Sequence, residues 1–240
     1  MGSRWVQVTV AASLALVPSL LRAEIDADNF SAIVTLTSDY VYRGVSQSRG
    51  DPAIQGGFDF EHEIGLFAGV WASSVQFRAS PQRDSPRDLE LDYYLGYRLD
   101  LGEDWAGDVT VMRYTYPGSD PAFHYDYGEI DLSVTFRDVL ATSISYSEDV
   151  FGFGAVGIAY ELTGRYPILA NLEASAGVGL YDLEALLGES YTYWNLGLSR
   201  FLGRFTFTAS YIDTDSRAAT IWGRERSDGR LAVGVSAAIQ

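Results

Sequence analysis

The chain has no cysteine and no lysine among its 240 residues. Without cysteine there is no disulfide framework, no thiolate metal site and no cysteine nucleophile. Without lysine the positive charge rests on 17 arginines, which face 32 acids for a net charge of −15. That balance argues against nucleic acid as a partner, because phosphate binding wants a basic face. Histidine is scarce too, with His62 and His124 alone, both near strand ends.

Long apolar runs are missing, with one exception. Trp5 to Leu21 reads WVQVTVAASLALVPSLL, with Arg4 before it and Ala23 after it. A short basic start, an apolar run and a small residue at the exit read as a secretory signal peptide over residues 1–23. The competing reading is an N-terminal anchor, but Gln7, Thr9, Ser13 and Pro18 make the run marginal for spanning a bilayer. Mean hydropathy of −0.01 with 47% hydrophobic residues excludes wholesale disorder and does not suggest a bundle of membrane helices.

What is present is tyrosine, glycine and alternation. Sixteen tyrosines, 24 glycines and 14% aromatics favour strands and turns. Past residue 30 the dominant period is two. Leu89, Leu91, Tyr93, Leu95, Tyr97 and Leu99 alternate with Asp88, Glu90, Asp92, Tyr94, Gly96 and Arg98, and Ile130, Leu132, Val134 and Phe136 alternate with Glu129, Asp131, Ser133 and Thr135. Twelve such segments are expected, at 31–44, 52–62, 65–76, 88–99, 105–116, 125–136, 139–148, 154–162, 170–181, 190–200, 203–213 and 230–240. The code is blurred in the third, where Phe67 and Trp71 share a face with Gly69 and Ser73, and in the fifth, where Arg113 falls on the apolar side.

Alternation alone does not separate a soluble sandwich from a membrane barrel. Segment length and linker rhythm do. Many segments run to about ten residues, longer than soluble strands and matched to a tilted membrane strand. Tight links such as EHEIG, DLGED and FLG alternate with longer ones such as FRASPQRDSPR and TDSRAATIWGRERSDG. The expected fold is therefore all-β: a transmembrane, antiparallel, up-and-down barrel of about twelve strands over residues 24–240, in the outer membrane of a Gram-negative cell. In hydrocarbon every backbone group must be paired, so the sheet closes on itself.

The blocks SDYVYRGVSQS, PAIQGGFDFEHE, LFAGVWASSV, DLELDYYLGY, TYPGS, YGEIDLSVTF and FTFTASYIDTD resemble the TorF-type porins of Gram-negative bacteria over most of the chain after residue 30. The resemblance implies an outer-membrane β-barrel. It brings no established substrate and no catalytic residue.

The residues themselves point to the lumen. In the first segment Val34, Leu36, Tyr40 and Tyr42 are expected on the lipid side, the tyrosines rising toward the outer interface. The inward face is expected to carry Asp39, Arg43, Asp59, Glu61, Glu90, Asp92, Arg98, Asp108, Glu129 and Asp131. Hairpin geometry brings Arg98 near Asp108, whereas Asp39 and Arg43 each need a partner from elsewhere. Strands seven to nine offer instead Ser143, Ser145, Ala155, Gly157, Ala159, Ser175, Gly177 and Gly179, a small wall that leaves space. Acids in excess concentrate cations, so a passive, cation-leaning channel for small hydrophilic solutes is the leading expectation. A non-conducting barrel acting through its external loops is the alternative. The expected partners are membrane lipid, the barrel-assembly machinery and those solutes, with no cofactor, no metal and no catalytic group.

Other motifs are weaker. GFGAVG, Gly152 to Gly157, matches a dinucleotide pattern in letters, but period two continues after it where a helix would be needed. His124 to Asp126 could supply a general base for a lipid-modifying enzyme, yet no GxSxG elbow accompanies it. Asp213 to Asp215, with Asp228, could offer calcium ligands, although a solvated acidic loop explains them as well.

Overall fold

The structure, a computed structural model, describes residues 29–76, 88–117 and 125–239. The expected signal peptide and His124 lie outside them. Twelve antiparallel strands close into a barrel: β1 (Phe30–Thr37), β2 (Ala53–Glu61), β3 (Leu66–Val75), β4 (Asp88–Asp100), β5 (Trp105–Thr115), β6 (Tyr127–Phe136), β7 (Leu140–Ser147), β8 (Gly157–Leu169), β9 (Leu172–Leu183), β10 (Glu189–Leu202), β11 (Phe205–Thr214) and β12 (Arg230–Ile239). Each strand pairs with its neighbours in the chain, and β1 closes on β12 from Ala32↔Ile239 to Thr37↔Gly234. No strand edge is left open, which is what a sheet in hydrocarbon requires.

The side chains follow the code read from the sequence. In β10, Tyr191, Tyr193, Asn195, Gly197 and Ser199 are buried while Thr192, Trp194, Leu196, Leu198 and Arg200 are exposed. Leu95, Val111 and Leu196 stand 54–56% exposed on the outside. The apolar residues thus face out and the polar ones face in, the reverse of a soluble barrel. Such a belt of exposed leucine, valine and aromatic rings is far larger than the patches a soluble monomer tolerates. The blurred third segment resolves inward: Phe67 is 1% exposed, and its ring lies where a Cβ on Gly96 would stand.

The short turns lie at one end of the barrel, with the start of β1 and the end of β12, and the longer described connections, after β1, β7, β9 and β11, lie at the other. A one-turn helix, α1 (Glu184–Leu187), joins β9 to β10, and the long connection between β11 and β12 carries two more, α2 (Ser216–Trp222) and α3 (Arg224–Ser227). Asp215 caps α2, accepting hydrogen bonds from the backbone N–H groups of Arg217 and Ala218. That role removes Asp215 from the calcium reading. Gly152 and Gly154 lie in the loop before β8 and Gly157 opens the strand, so GFGAVG is a loop-to-strand junction.

The first segment departs from expectation. β1 ends at Thr37, where its pairing with β2 is complete at Thr37↔Ala53. The chain then leaves the wall and folds into the barrel as an inner hairpin, with Val41–Tyr42 paired to Val45–Ser46. Arg43 and Gly44 form its tip with φ of 46° and 80°, the left-handed pair of a two-residue type I′ turn. Gly44 is required there, because a Cβ would stand 2.6 Å from Tyr193 and Thr214. Tyr40 and Tyr42, 3% and 8% exposed, therefore lie inside the lumen and not on the lipid side. Period two runs on unbroken past Thr37, so parity alone extends the strand. The ion pairs of Asp39 and Arg43 instead hold this segment inside the barrel.

Candidate functional site in the lumen

The inward faces of β2, β4, β5 and β6 bring the expected acids together, and the lumen divides into two halves. Toward the short turns, Arg98 bridges Glu61 of β2 and Asp108 of β5, the latter through Nε at 3.1 Å. The register sets Arg98 directly opposite Asp108, as hairpin geometry requires. Ser133 donates to the second oxygen of Asp108 at 3.2 Å, and the Tyr94 hydroxyl donates to Asp59. Asp131 sits in register with Ser145 of β7 and Thr110 of β5. The side chains of Arg98, Glu61 and Asp108 stay 14%, 25% and 16% exposed, so solvent reaches this half.

Toward the long loops the inner hairpin fills the lumen. Arg43 forms a two-pronged ion pair with Glu129 at 2.8 and 2.9 Å, and each side chain is 1% exposed. The guanidinium lies over the rings of Tyr181 at 4.4 Å and Tyr42 at 4.7 Å. The Tyr191 hydroxyl donates to the Arg43 carbonyl at 3.0 Å. Tyr40 donates to Glu90 at 3.1 Å, and one buried oxygen of Asp92 finds no hydrogen-bond partner among the described residues. At the outer end Asp39 accepts from Ser46, Ser48 and Arg230 at 2.6, 2.8 and 2.8 Å. Asp39 and Arg43 each find their partner on another strand, and the sequence did not show which.

The small wall does not leave the open space expected of it. A Cβ on Gly179 would stand 2.2 Å from the Tyr193 ring, and one on Gly157 would stand 2.9 Å from Val150. These glycines are sockets for large neighbours. Ala155 lies before β8, accepting from the Val150 N–H at 2.9 Å. Over the top, Trp222 of α2 meets Phe151 edge-on at 5.6 Å, and Arg226 Nε donates to the Ser46 carbonyl at 2.8 Å. Burial and the neighbouring Arg49 and Arg230 charges push Arg226 down to about 10.

Sequence reasoning missed Arg230 and the ring of tyrosines around Arg43. Tyr127 shares the parity of Glu129 and Asp131, so its inward direction was readable. Arg230 lies 191 residues from Asp39, with no local pattern to link them.

The sequence pattern described as "Bacterial protein of unknown function (Gcw_chp)" matches residues 24–237. The chain belongs to the Gcw_chp family. No curated protein matches it in sequence. Among solved structures this Gcw_chp barrel is similar to the KdgM porin at 7% identity and the NanC porin at 10%, each with TM-score 0.54 over 88% of this chain and 99% of theirs. It is also similar to outer membrane phospholipase A from Salmonella typhi, at 15% identity and TM-score 0.51 over 88% of this chain and 90% of that one. At such identities the likeness is one of fold. The same barrel fold thus serves both porins and an enzyme among these neighbours.

Proposed function

We propose that this barrel is an outer-membrane, porin-type channel for passive diffusion of small hydrophilic solutes, with a preference for cations. The carrying observation is a lumen whose carboxylates outnumber its guanidiniums and whose short-turn half is open to solvent. Glu61 and Asp108 face Arg98 there, with Asp59 two residues along the same face of β2, and a low-dielectric wall makes their excess charge felt. The resemblance to TorF-type porins and the fold shared with the KdgM and NanC porins support the same reading. The exposed apolar belt is the surface that membrane lipid covers, and insertion there calls on the barrel-assembly machinery. The signal-peptide reading of residues 1–23 fits export to that membrane.

The chain acts without catalysis in this reading. His62 sits in a short turn, where its Nδ1 accepts from the Ile64 N–H at 3.3 Å. The test is single-channel conductance with reversal potentials in a salt gradient. Cation-favouring current that weakens in Glu61→Gln with Asp108→Asn supports the proposal; silence at every voltage and salt refutes it.

A second reading, a non-conducting barrel that binds through its loops, is favoured by the hairpin that fills the long-loop half. Replacing residues 40–48 with a short Gly-Ser linker separates the two. A channel gains current, whereas a binding barrel stays silent and loses its partner.

A further inference from the structure

The wall around the hairpin tip has the form of a receptor. Both Glu129 oxygens converge on one guanidinium, and the Tyr181 ring lies 4.4 Å beneath it. The Tyr114 hydroxyl stands 3.2 Å from Glu129, and the Tyr127 ring stacks on Tyr114 at 4.5 Å. All of these belong to β5, β6 and β9 and remain if the hairpin leaves. A buried carboxylate within tyrosine faces selects a planar guanidinium or a compact ammonium, through a paired hydrogen bond and cation–π attraction.

Arg43 fits this place imperfectly. Its left-handed φ of 46° belongs to the type I′ tip. Among the described residues its Nε finds no hydrogen-bond partner, nor does the buried Tyr127 hydroxyl. The idle Nε and Tyr127 hydroxyl leave hydrogen-bonding capacity in the site that Arg43 does not use. Arg43 also sits on a loop that supplies no strand to the barrel, so its departure breaks no wall pairing.

We propose that Glu129, Tyr181 and Tyr114 form a binding site for small organic cations bearing a guanidinium or primary ammonium group. Arg43 occupies it as a tethered pseudo-ligand, and an arriving cation displaces Arg43 and frees the inner hairpin from the lumen. The route of arrival rests on the channel reading; the site itself does not.

The test is calorimetry on the folded full-length protein in detergent, with argininamide, putrescine and the uncharged citrullinamide as probes. A tethered competitor acts at an effective concentration in the millimolar range or above, so Arg43→Ala should bind argininamide at least about tenfold more tightly than the parent. Adding Glu129→Gln to Arg43→Ala should abolish binding; the double variant neutralises the carboxylate that Arg43→Ala leaves buried and unpaired. Citrullinamide should not bind. Equal affinity in parent and Arg43→Ala overturns the proposal, as does binding that survives Glu129→Gln. Conductance in a salt gradient is recorded on the same preparations. Binding without current overturns the channel reading and leaves the site standing, and current without binding overturns the site alone.

Discussion

Leu95→Arg tests the orientation of the whole barrel. Leu95 is 54% exposed on β4, between Ala68 of β3 and Val111 of β5. It lies five residues before Asp100, the short-turn end of the strand. At about 3.3 Å per residue and a tilt of about 40°, each residue climbs about 2.5 Å, which puts Leu95 about 13 Å into the belt. The apolar belt of such barrels is about 25 Å tall, so Leu95 stands near its midplane. Arginine there costs about 2–4 kcal/mol of folding into lipid, a shift of roughly 30- to 900-fold in the folded ratio. Leu101→Arg, just past the strand at the short-turn end and 50% exposed, should cost about 0–1 kcal/mol. Urea titrations in phospholipid vesicles, followed by tryptophan fluorescence, read both. Equal costs would show that exposed residues on β4 do not face hydrocarbon, and the inside-out assignment would fall with them.

Other expectations follow from particular contacts. Arg98→Ala leaves Glu61 and Asp108 facing one another without their cation. It should destabilise the barrel by about 1–3 kcal/mol in the same titration, less than for a fully buried pair. Gly179→Val drives a side chain into the Tyr193 ring and should cost about 1–3 kcal/mol; adding Tyr193→Ala should recover part of the loss, and a strictly additive double variant would refute the socket. Asp215→Ala should loosen α2 by about 0.5–2 kcal/mol, seen as faster protease cleavage in 215–229. Burial raises the Asp215 carboxyl, but hydrogen bonds from Thr192, Ala218 and Arg217 outweigh it and hold it below its ordinary value. Its stabilising effect is therefore full above about pH 4 and lost as pH falls through the lowered value, so acid should speed that cleavage in the parent and not in Asp215→Ala.

The staves were legible because a membrane barrel imposes one rule on both faces. Each strand must alternate, and nothing in lipid rewards an exception. Glu90, Asp92, Glu129 and Asp131 were placed by parity alone, and Arg98 found Asp108 because a hairpin's register is local. Parity says which way a side chain points, not whether the segment is in the wall. Tyr40 and Tyr42 went astray for that reason: the alternation continues while the backbone turns inward. The small wall was misread for a related reason. Whether a glycine opens a space or accepts a ring depends on its cross-strand neighbour, and Gly179 stands directly opposite Tyr193, whose ring fills the place of the missing side chain, a fit that neither strand alone encodes.

The inner hairpin also has a consequence for the order of assembly. Its anchors lie 86 residues away at Glu129, 148 away at Tyr191 and 191 away at Arg230. Contacts so distant in the chain cannot form until the strands carrying them are in place, since closing such loops is entropically costly and slow. Arg230 opens β12, the strand that completes the cylinder. One of the first loops in the chain is thus among the last to settle, and an unfinished barrel keeps a wider, wetter interior than the finished one.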